Sequence, residues 1–180
     1  DAYSARAHNL SVSEVRALFA VVSRPEVVSL AGGMPYVSAL PKDLLRDAYD
    51  SMMKSHGDLA IQYGGGQGDL KLRDQTRELM ALEGIRSSVE DIVVTTGSQH
   101  GLDMLAGLFL DEGDVVLAEG PSYVGAIRIF RHYEAHIEHV YTDHDGMSPE
   151  ALEDSIAQMK KQGKKIKFLY LVPNFANPSG

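Results

Sequence analysis

Three short segments combine glycine, proline and polar side chains in a way that could bind a small ligand. They are TTGSQHG (Thr95–Gly101), EGPSY (Glu119–Tyr123) and NFANPSG (Asn174–Gly180), and each follows an apolar run. The first could hold an anion, because Ser98 and Gln99 lie in the first turn of a predicted helix. Free amides and the positive end of the helix dipole favour negative charge there, usually a phosphate. A simple capped helix start is the alternative, because serine is a common N-cap.

The other two segments could contact a flat ligand. Tyr123 follows a predicted strand and could stack on an aromatic ring. Asn177 precedes a proline, which favours an extended backbone that could aim its amide at a ligand oxygen. The Gly120–Pro121 bond is a candidate for the cis form. The alternatives are ordinary turns, one with a half-buried tyrosine and one of the common asparagine–proline type.

Other clusters give weaker indications of chemistry. The loop Tyr63–Gly68 is rich in glycine but follows no predicted buried strand, which favours a surface loop. His132 and His136 flank the change from a predicted helix to a predicted strand and do not share a face, which disfavours zinc. No metal site is predicted, and no nucleophile elbow accompanies Ser98.

The elements that must position these segments alternate between helix and strand. Apolar patterning predicts strands over residues 92–97, 114–123, 135–143 and 166–172, and helices over residues 11–23, 41–55, 98–110, 125–133 and 148–161, with a further helix that ends near Gly84. This alternation predicts an α/β fold with a mainly parallel sheet and right-handed crossovers. Ligands of such sheets bind beyond the carboxyl ends of the strands, where the three polar segments lie.

Composition narrows the classes of function. The net charge is −8, and the one basic run, Lys160–Lys167, is explained by a solvated helix end, so no nucleic-acid partner is expected. The chain has no cysteine, which excludes disulfides and a cysteine nucleophile. No membrane span and no secretory signal are found in the sequence, and a cytoplasmic location is expected.

Taken together, the motifs resemble those of the fold-type I pyridoxal-phosphate (PLP) aminotransferases of class I/II. Gly-Gly-x-Pro near Gly33 and Tyr-Gly-x-x-x-Gly at Tyr63 add to the three segments above, in the same order. The most similar branch contains the 2-aminoadipate, kynurenine and aromatic aminotransferases, and the likeness covers nearly all 180 residues. It implies a three-layer αβα fold with a mainly parallel central sheet. Residues 1–45 would form an N-terminal arm and the start of a small domain, and residues 46–180 the first part of the large PLP-binding domain.

The resemblance implies roles for residues around the cofactor. The turn at Gly97, Ser98 and Gln99 would hold the PLP phosphate. Tyr123 would stack on the pyridine ring, and Asn177, before a cis Pro178, would hydrogen-bond the phenolic oxygen. Tyr63 would reach the phosphate bound by a neighbouring subunit, which implies a homodimer with shared active sites.

Further roles concern the substrates, an amino acid and a 2-oxo acid such as 2-oxoglutarate. Gly33 and Asn174 would lie near the substrate. Arg16 would meet an acidic side chain, although a solvated helix arginine is an equal alternative. The catalytic lysine and the carboxylate-binding arginine are expected beyond Gly180, and no residue of the sequence is assigned a catalytic role. Other PLP chemistry, such as β-lyase or decarboxylase activity, and an effector domain of a transcriptional regulator remain open.

Overall fold

The computed structural model describes residues 2–4, 7, 21–22, 24, 26–28 and 35–180. The chain divides into two compact units at Val94/Thr95. The helix expected over residues 11–23 lies almost wholly outside the described residues. None of the described helices combines the length and the apolar character needed to cross a membrane. The domain division expected after residue 45 stays a prediction.

Two helices dominate the unit that ends at Val94. Helix α1 (Lys42–Ala60) follows a short 3-10 turn, and Pro41 is its N-cap rather than a first-turn residue. The helix is kinked at His56, where φ is −143° and ψ is 24°, so its regular first part ends at residue 55, as predicted, and a second part continues to Ala60. Helix α2 (Leu70–Leu82) begins at Asp69, whose carboxylate accepts a hydrogen bond from the Leu72 N–H at 2.9 Å.

The sequence predicts an apolar face with Leu72, Leu79 and Met80 for α2, but this is not its most buried face. Leu72 and Leu79 are 46% and 64% exposed, whereas Arg73 is only 5% exposed. The Arg73 guanidinium can be buried because it bonds the carbonyls of a second 3-10 turn (Val89–Asp91) and the residue after it. The buried side of α2 is therefore set by a polar contact, which apolar periodicity does not detect.

The prediction of a buried strand over residues 92–97 is wrong. Ile92 has extended dihedral angles, but Val93 and Val94 are 45% and 40% exposed and no strand forms. The Val94 N–H bonds the carbonyl of Gln67, which lies in a loop. A strand requires a neighbouring strand for its ladder, and none of the described strands pairs with this segment.

The unit that follows contains the sheet. Its elements are α3 (Ser98–Phe109), β1 (Val115–Gly120), α4 (Val124–His132), β2 (His136–Asp143), β3 (Gly146–Met147), α5 (Pro149–Lys161) and β4 (Ile166–Tyr170). The strand order is β3-β2-β1-β4, with β1 parallel to both β2 and β4 and β3 antiparallel to β2. Three of the four predicted strands are confirmed. The two-residue β3 was too short to show a pattern.

Strand β1 lies at the centre and is buried on both faces. Val116 packs with Ala106 of α3 and Phe130 of α4, while Val115 and Leu117 pack with Met159 of α5 on the other face. Because successive strand residues point to opposite faces, the continuous apolar run of β1 serves two layers of helices. The three-layer αβα arrangement and the parallel sheet are as expected.

The sequence predicts an apolar stripe of Leu102, Leu105 and Phe109 on α3, and this stripe is only partly buried. Leu102 packs against the core, but Leu105 and Phe109 are about half exposed. They line a groove of about 380 Å³ together with Phe168 and Tyr170 of β4. The stripe therefore covers the core incompletely in the part of the chain that the structure describes.

An ion pair ties the amino ends of β1 and β4 together. The Lys167 Nζ lies 3.1 Å from the Asp114 carboxylate, which also accepts the Asp111 N–H. Burial alone raises the pKa of Asp114, but the Asp111 N–H and the Lys167 ammonium outweigh it and hold that pKa below 3.8. The hydrogen bond to Asp114 in turn raises the pKa of Lys167 above 10.5.

This pair predicts a pH dependence of stability. A carboxyl whose pKa is lowered by folding stabilises the folded state above its unfolded pKa, and this contribution is lost as the pH falls through the folded pKa. We expect Asp114→Asn to be less stable than the parent at neutral pH, with the difference vanishing well below pH 3.8. Urea midpoints across this range measure it. Asp111→Asn is the matched control, because Asp111 is exposed and lies farther from Lys167, at 3.8 Å. A difference that persists at the lowest pH would contradict the prediction.

Candidate functional site

The candidate site lies at the carboxyl ends of the parallel strands. β1 runs into Glu119–Tyr123, and the parallel strand β4 runs into the segment that carries Asn174 and Asn177. The carboxyl ends of neighbouring parallel strands lie at the same end of the sheet, so the two polar segments start side by side.

The first segment forms an open turn at the start of α3. Gly97 is the N-cap with φ 84° and ψ 167°, a conformation that is essentially restricted to glycine. The His100 Nδ1 accepts hydrogen bonds from the Thr96 N–H and hydroxyl, at 3.2 and 2.8 Å, and closes the turn. Among the described residues, no acceptor bonds the amides of Ser98 and Gln99. The turn thus presents free N–H donors at the positive end of a helix, as an anion site requires.

A side-chain hydrogen bond connects this turn to the second segment. The Gln99 Nε2 donates to the Tyr123 hydroxyl at 3.0 Å. The half-buried Tyr123 ring folds over Gly125, where an added Cβ would lie only 2.7 Å from the ring Cε1. The structure therefore brings Gly97, Ser98, Gln99 and Tyr123 into one cluster. Gly125 was missed from the sequence because its role depends on this ring.

A second hydrogen bond connects the second segment to the third. The Glu119 carboxylate, on a residue only 6% exposed, accepts the Val172 N–H at 2.9 Å. The pKa of Tyr170 is raised, mainly because the residue is partly buried and secondly because the negative charge of Glu119 lies nearby. Sequence reasoning gave Glu119 no role. The available signal was an acidic residue at the end of the apolar run DVVLAEG.

The two asparagines lie on an exposed segment. Neither Asn174 nor Asn177 forms a side-chain hydrogen bond with another described residue, so both amides are available to a ligand. The Asn177–Pro178 and Gly120–Pro121 bonds are both cis, as predicted. No hydrogen bond joins these asparagines to the Gly97 turn among the described residues.

The remaining candidate residues lie elsewhere. Tyr63 belongs to the other unit and is 96% exposed, in a loop whose glycines Gly64–Gly66 have open space around them. Gly33 and Arg16 lie outside the described residues. Asp143, His144 and Asp145 form an exposed group of metal-ligand type at the end of β2, but nothing further indicates an ion there.

Comparison with known proteins defines the family. A family model described as aminotransferase class I and II matches residues 26–180. The chain is 35% identical over 180 residues to the 2-aminoadipate transaminase of Thermus thermophilus, and 34% identical over 179 residues to the aromatic-amino-acid aminotransferase 1 of Thermococcus litoralis. These matches cover 100% and 99% of this chain. The chain belongs to the class I and II aminotransferases.

A solved structure supports the same assignment. The kynurenine aminotransferase of Pyrococcus horikoshii superposes with a TM-score of 0.91 at 37% identity, over 98% of this chain and 44% of that one. The resemblance and the PLP-transferase type I fold expected from it are confirmed. The chain spans 43% of the length of each of the two curated relatives.

Proposed function

We propose that this chain is part of a PLP-dependent aminotransferase that moves an amino group from an L-amino acid to a 2-oxo acid such as 2-oxoglutarate. The observation that carries the proposal is the open turn at Gly97, which Gln99 links to the Tyr123 ring at the carboxyl edge of the sheet. An anion donor set beside an aromatic face matches a ligand that has both a phosphate and a flat ring.

The available donors fit that cofactor. The free amides of Ser98 and Gln99, with the Ser98 hydroxyl, would hold the phosphate. The Tyr123 ring would cover the pyridine, and the Asn177 amide would donate to the phenolic oxygen. The buried Ser122 hydroxyl beside Tyr123 has no hydrogen-bond partner in the described part of the chain, so it is available to a polar group of a ligand. When bound, PLP supplies the electron sink for amino-acid chemistry.

The residues of this chain would bind the cofactor and orient it. The Gln99–Tyr123 hydrogen bond fixes the tilt of the ring before any ligand arrives. The Tyr123 hydroxyl accepts from Gln99, so its proton is free to be donated to another acceptor. No residue of this chain is proposed as the catalytic lysine.

Substrate and partner contacts complete the proposal. Asn174, Gly33 and Arg16 would lie near the substrate, with Arg16 meeting an acidic side chain. Tyr63 would reach a phosphate in a second subunit, and its nearly complete exposure leaves it free to do so. We infer a homodimer with shared sites, and a cytoplasmic location stays a prediction from the sequence.

The test uses the full-length protein mixed with PLP. We expect an absorbance band of bound PLP that changes when an amino donor is added, and amino transfer to 2-oxoglutarate for part of a donor panel that includes 2-aminoadipate, kynurenine and the aromatic amino acids. Release of ammonia or carbon dioxide without transfer would indicate a β-lyase or decarboxylase. PLP binding without turnover would favour an effector domain. A protein that shows no PLP band at all would overturn the proposal.

A further inference from the structure

The carboxylate of Glu119 occupies an unusual place at the end of β1. The residue is nearly fully buried, and none of the ion pairs among the described residues involves it. Buried carboxylates are costly unless they are hydrogen-bonded or paired. Its partner is a backbone amide, the N–H of Val172 at 2.9 Å.

That hydrogen bond extends the connection between the two strands beyond their ladder. The last paired residues of β1 and β4 are Ala118 and Tyr170. Val172 lies two residues beyond Tyr170, and the Glu119 side chain, one residue beyond Ala118, takes the place of a backbone acceptor for its N–H. The start of the third segment is thereby held beside the exit of β1.

The third segment has little else of its own to hold it. Phe175 is almost fully exposed and has a φ of 54°, and the backbone turn that follows, from the Gly180 N–H to the Ala176 carbonyl, is local. Apolar packing therefore does not anchor the stretch between Val172 and Asn177. The hydrogen bond from the Val172 N–H to Glu119 at the base of this segment gains importance for that reason.

The backbone at Glu119 is also held in place. The Gly120 N–H donates to the Thr142 hydroxyl of β2 at 3.2 Å, and the Glu119 carbonyl lies 3.5 Å from the His139 Nδ1. The residue is thus attached to β2 through its backbone and to the segment after β4 through its side chain.

We infer that Glu119 is a positioning residue that holds the Asn177 segment in register with the Tyr123 turn. The inference rests on the proposed function, because it assumes that both segments contact PLP. It depends on the acceptor position of the carboxylate rather than on its charge. Glu119→Gln keeps an oxygen at the same reach, whereas Glu119→Asp keeps the charge but withdraws the oxygen by one methylene.

The experiment measures PLP affinity and amide exchange of residues 171–177 in the full-length protein. We expect Glu119→Asp and Glu119→Leu to raise the PLP dissociation constant about 10-fold, equivalent to roughly 1.4 kcal/mol. Both should also speed exchange in this segment. Glu119→Gln should stay within about 3-fold of the parent, since it retains the acceptor. Glu138→Gln, in the middle of β2 and paired with His136, is the matched control and should change neither quantity.

The outcomes separate the inference from the proposed function. Normal PLP affinity in Glu119→Asp, or loss in Glu119→Gln but not in Glu119→Asp, would overturn the positioning role. If Glu119→Leu does not fold, the Gln and Asp variants decide the question alone. If the parent binds no PLP, the proposed function fails, and unchanged exchange in Glu119→Asp would then overturn the structural part of the inference independently.

Discussion

Replacing Gly97 by alanine is expected to weaken PLP binding by the full-length protein about 30-fold. Gly97 has φ 84° and ψ 167°, where any side chain strains the backbone by about 2 kcal/mol, and that energy corresponds to about 30-fold in affinity. An added Cβ would meet no atom within 4 Å, so the effect comes from backbone conformation and not from a collision. Relief of the strain would turn the amides of Ser98 and Gln99 away from the phosphate. A titration of PLP by absorbance or fluorescence measures the change.

Gly113→Ala is the matched control for this prediction. Gly113 also has a positive φ, 79°, and an added Cβ would likewise meet open space, but it precedes β1 at the opposite end of the strand. Both variants should lose stability, and only the Gly97 variant should lose PLP affinity. Equal PLP affinity in the two variants would show that the turn at Gly97 does not hold the phosphate.

Replacing Arg73 by methionine is expected to reduce the free energy of unfolding by about 3 kcal/mol. The guanidinium donates to the Ile92 carbonyl at 2.9 Å and to the Val89 carbonyl at 2.7 Å, and it lies 3.3 Å from the Glu90 carboxylate. Methionine fills a similar volume but leaves both carbonyls without these donors. Arg73→Lys should also be destabilising, because an ammonium lacks the planar fork that reaches both acceptors.

Urea denaturation provides the measurement, with Arg77→Met as the control. Arg77 lies on the same helix but is more exposed and pairs with Asp74 on the surface, at 2.9 Å. Surface pairs of this kind contribute roughly 0–1 kcal/mol, so the control should remain close to the parent. An Arg73→Met protein as stable as the control would contradict the assigned role.

The elements that the sequence predicted well are those with a purely local or purely apolar cause. The run at Val115–Ala118 is apolar without interruption, as a strand covered on both faces requires. Ser148 caps α5 through a hydrogen bond from the Ala151 N–H, with Pro149 in the first turn, and a serine followed by a proline is a local signal for the start of the helix predicted over residues 148–161. In residues 92–97 the β-branched pattern predicted an extended backbone correctly at Ile92, but a pattern cannot supply the partner strand.

The features of the candidate site also fall into two groups, those that a local sequence pattern predicts and those that it does not. Gly97 and Tyr123 were found because a helix start after glycine and an aromatic residue after a strand each have a recognisable local form. The contacts that join the segments, from Gln99 to Tyr123 and from Glu119 to Val172, span 24 and 53 residues, and no local pattern encodes them. The roles of Asn174, Asn177 and Tyr63 came from the family resemblance and stay predictions.

The Tyr123 ring lies against Gly125, and this contact limits which residues can replace either one. Because a Cβ at position 125 would enter the space of the ring, the two positions do not accept mutations independently. A larger residue at 125 becomes tolerable only when the aromatic side chain at 123 shrinks or rotates, and rotation would break its hydrogen bond with Gln99. Positions 99, 123 and 125 are therefore expected to change together during divergence or in a combinatorial library.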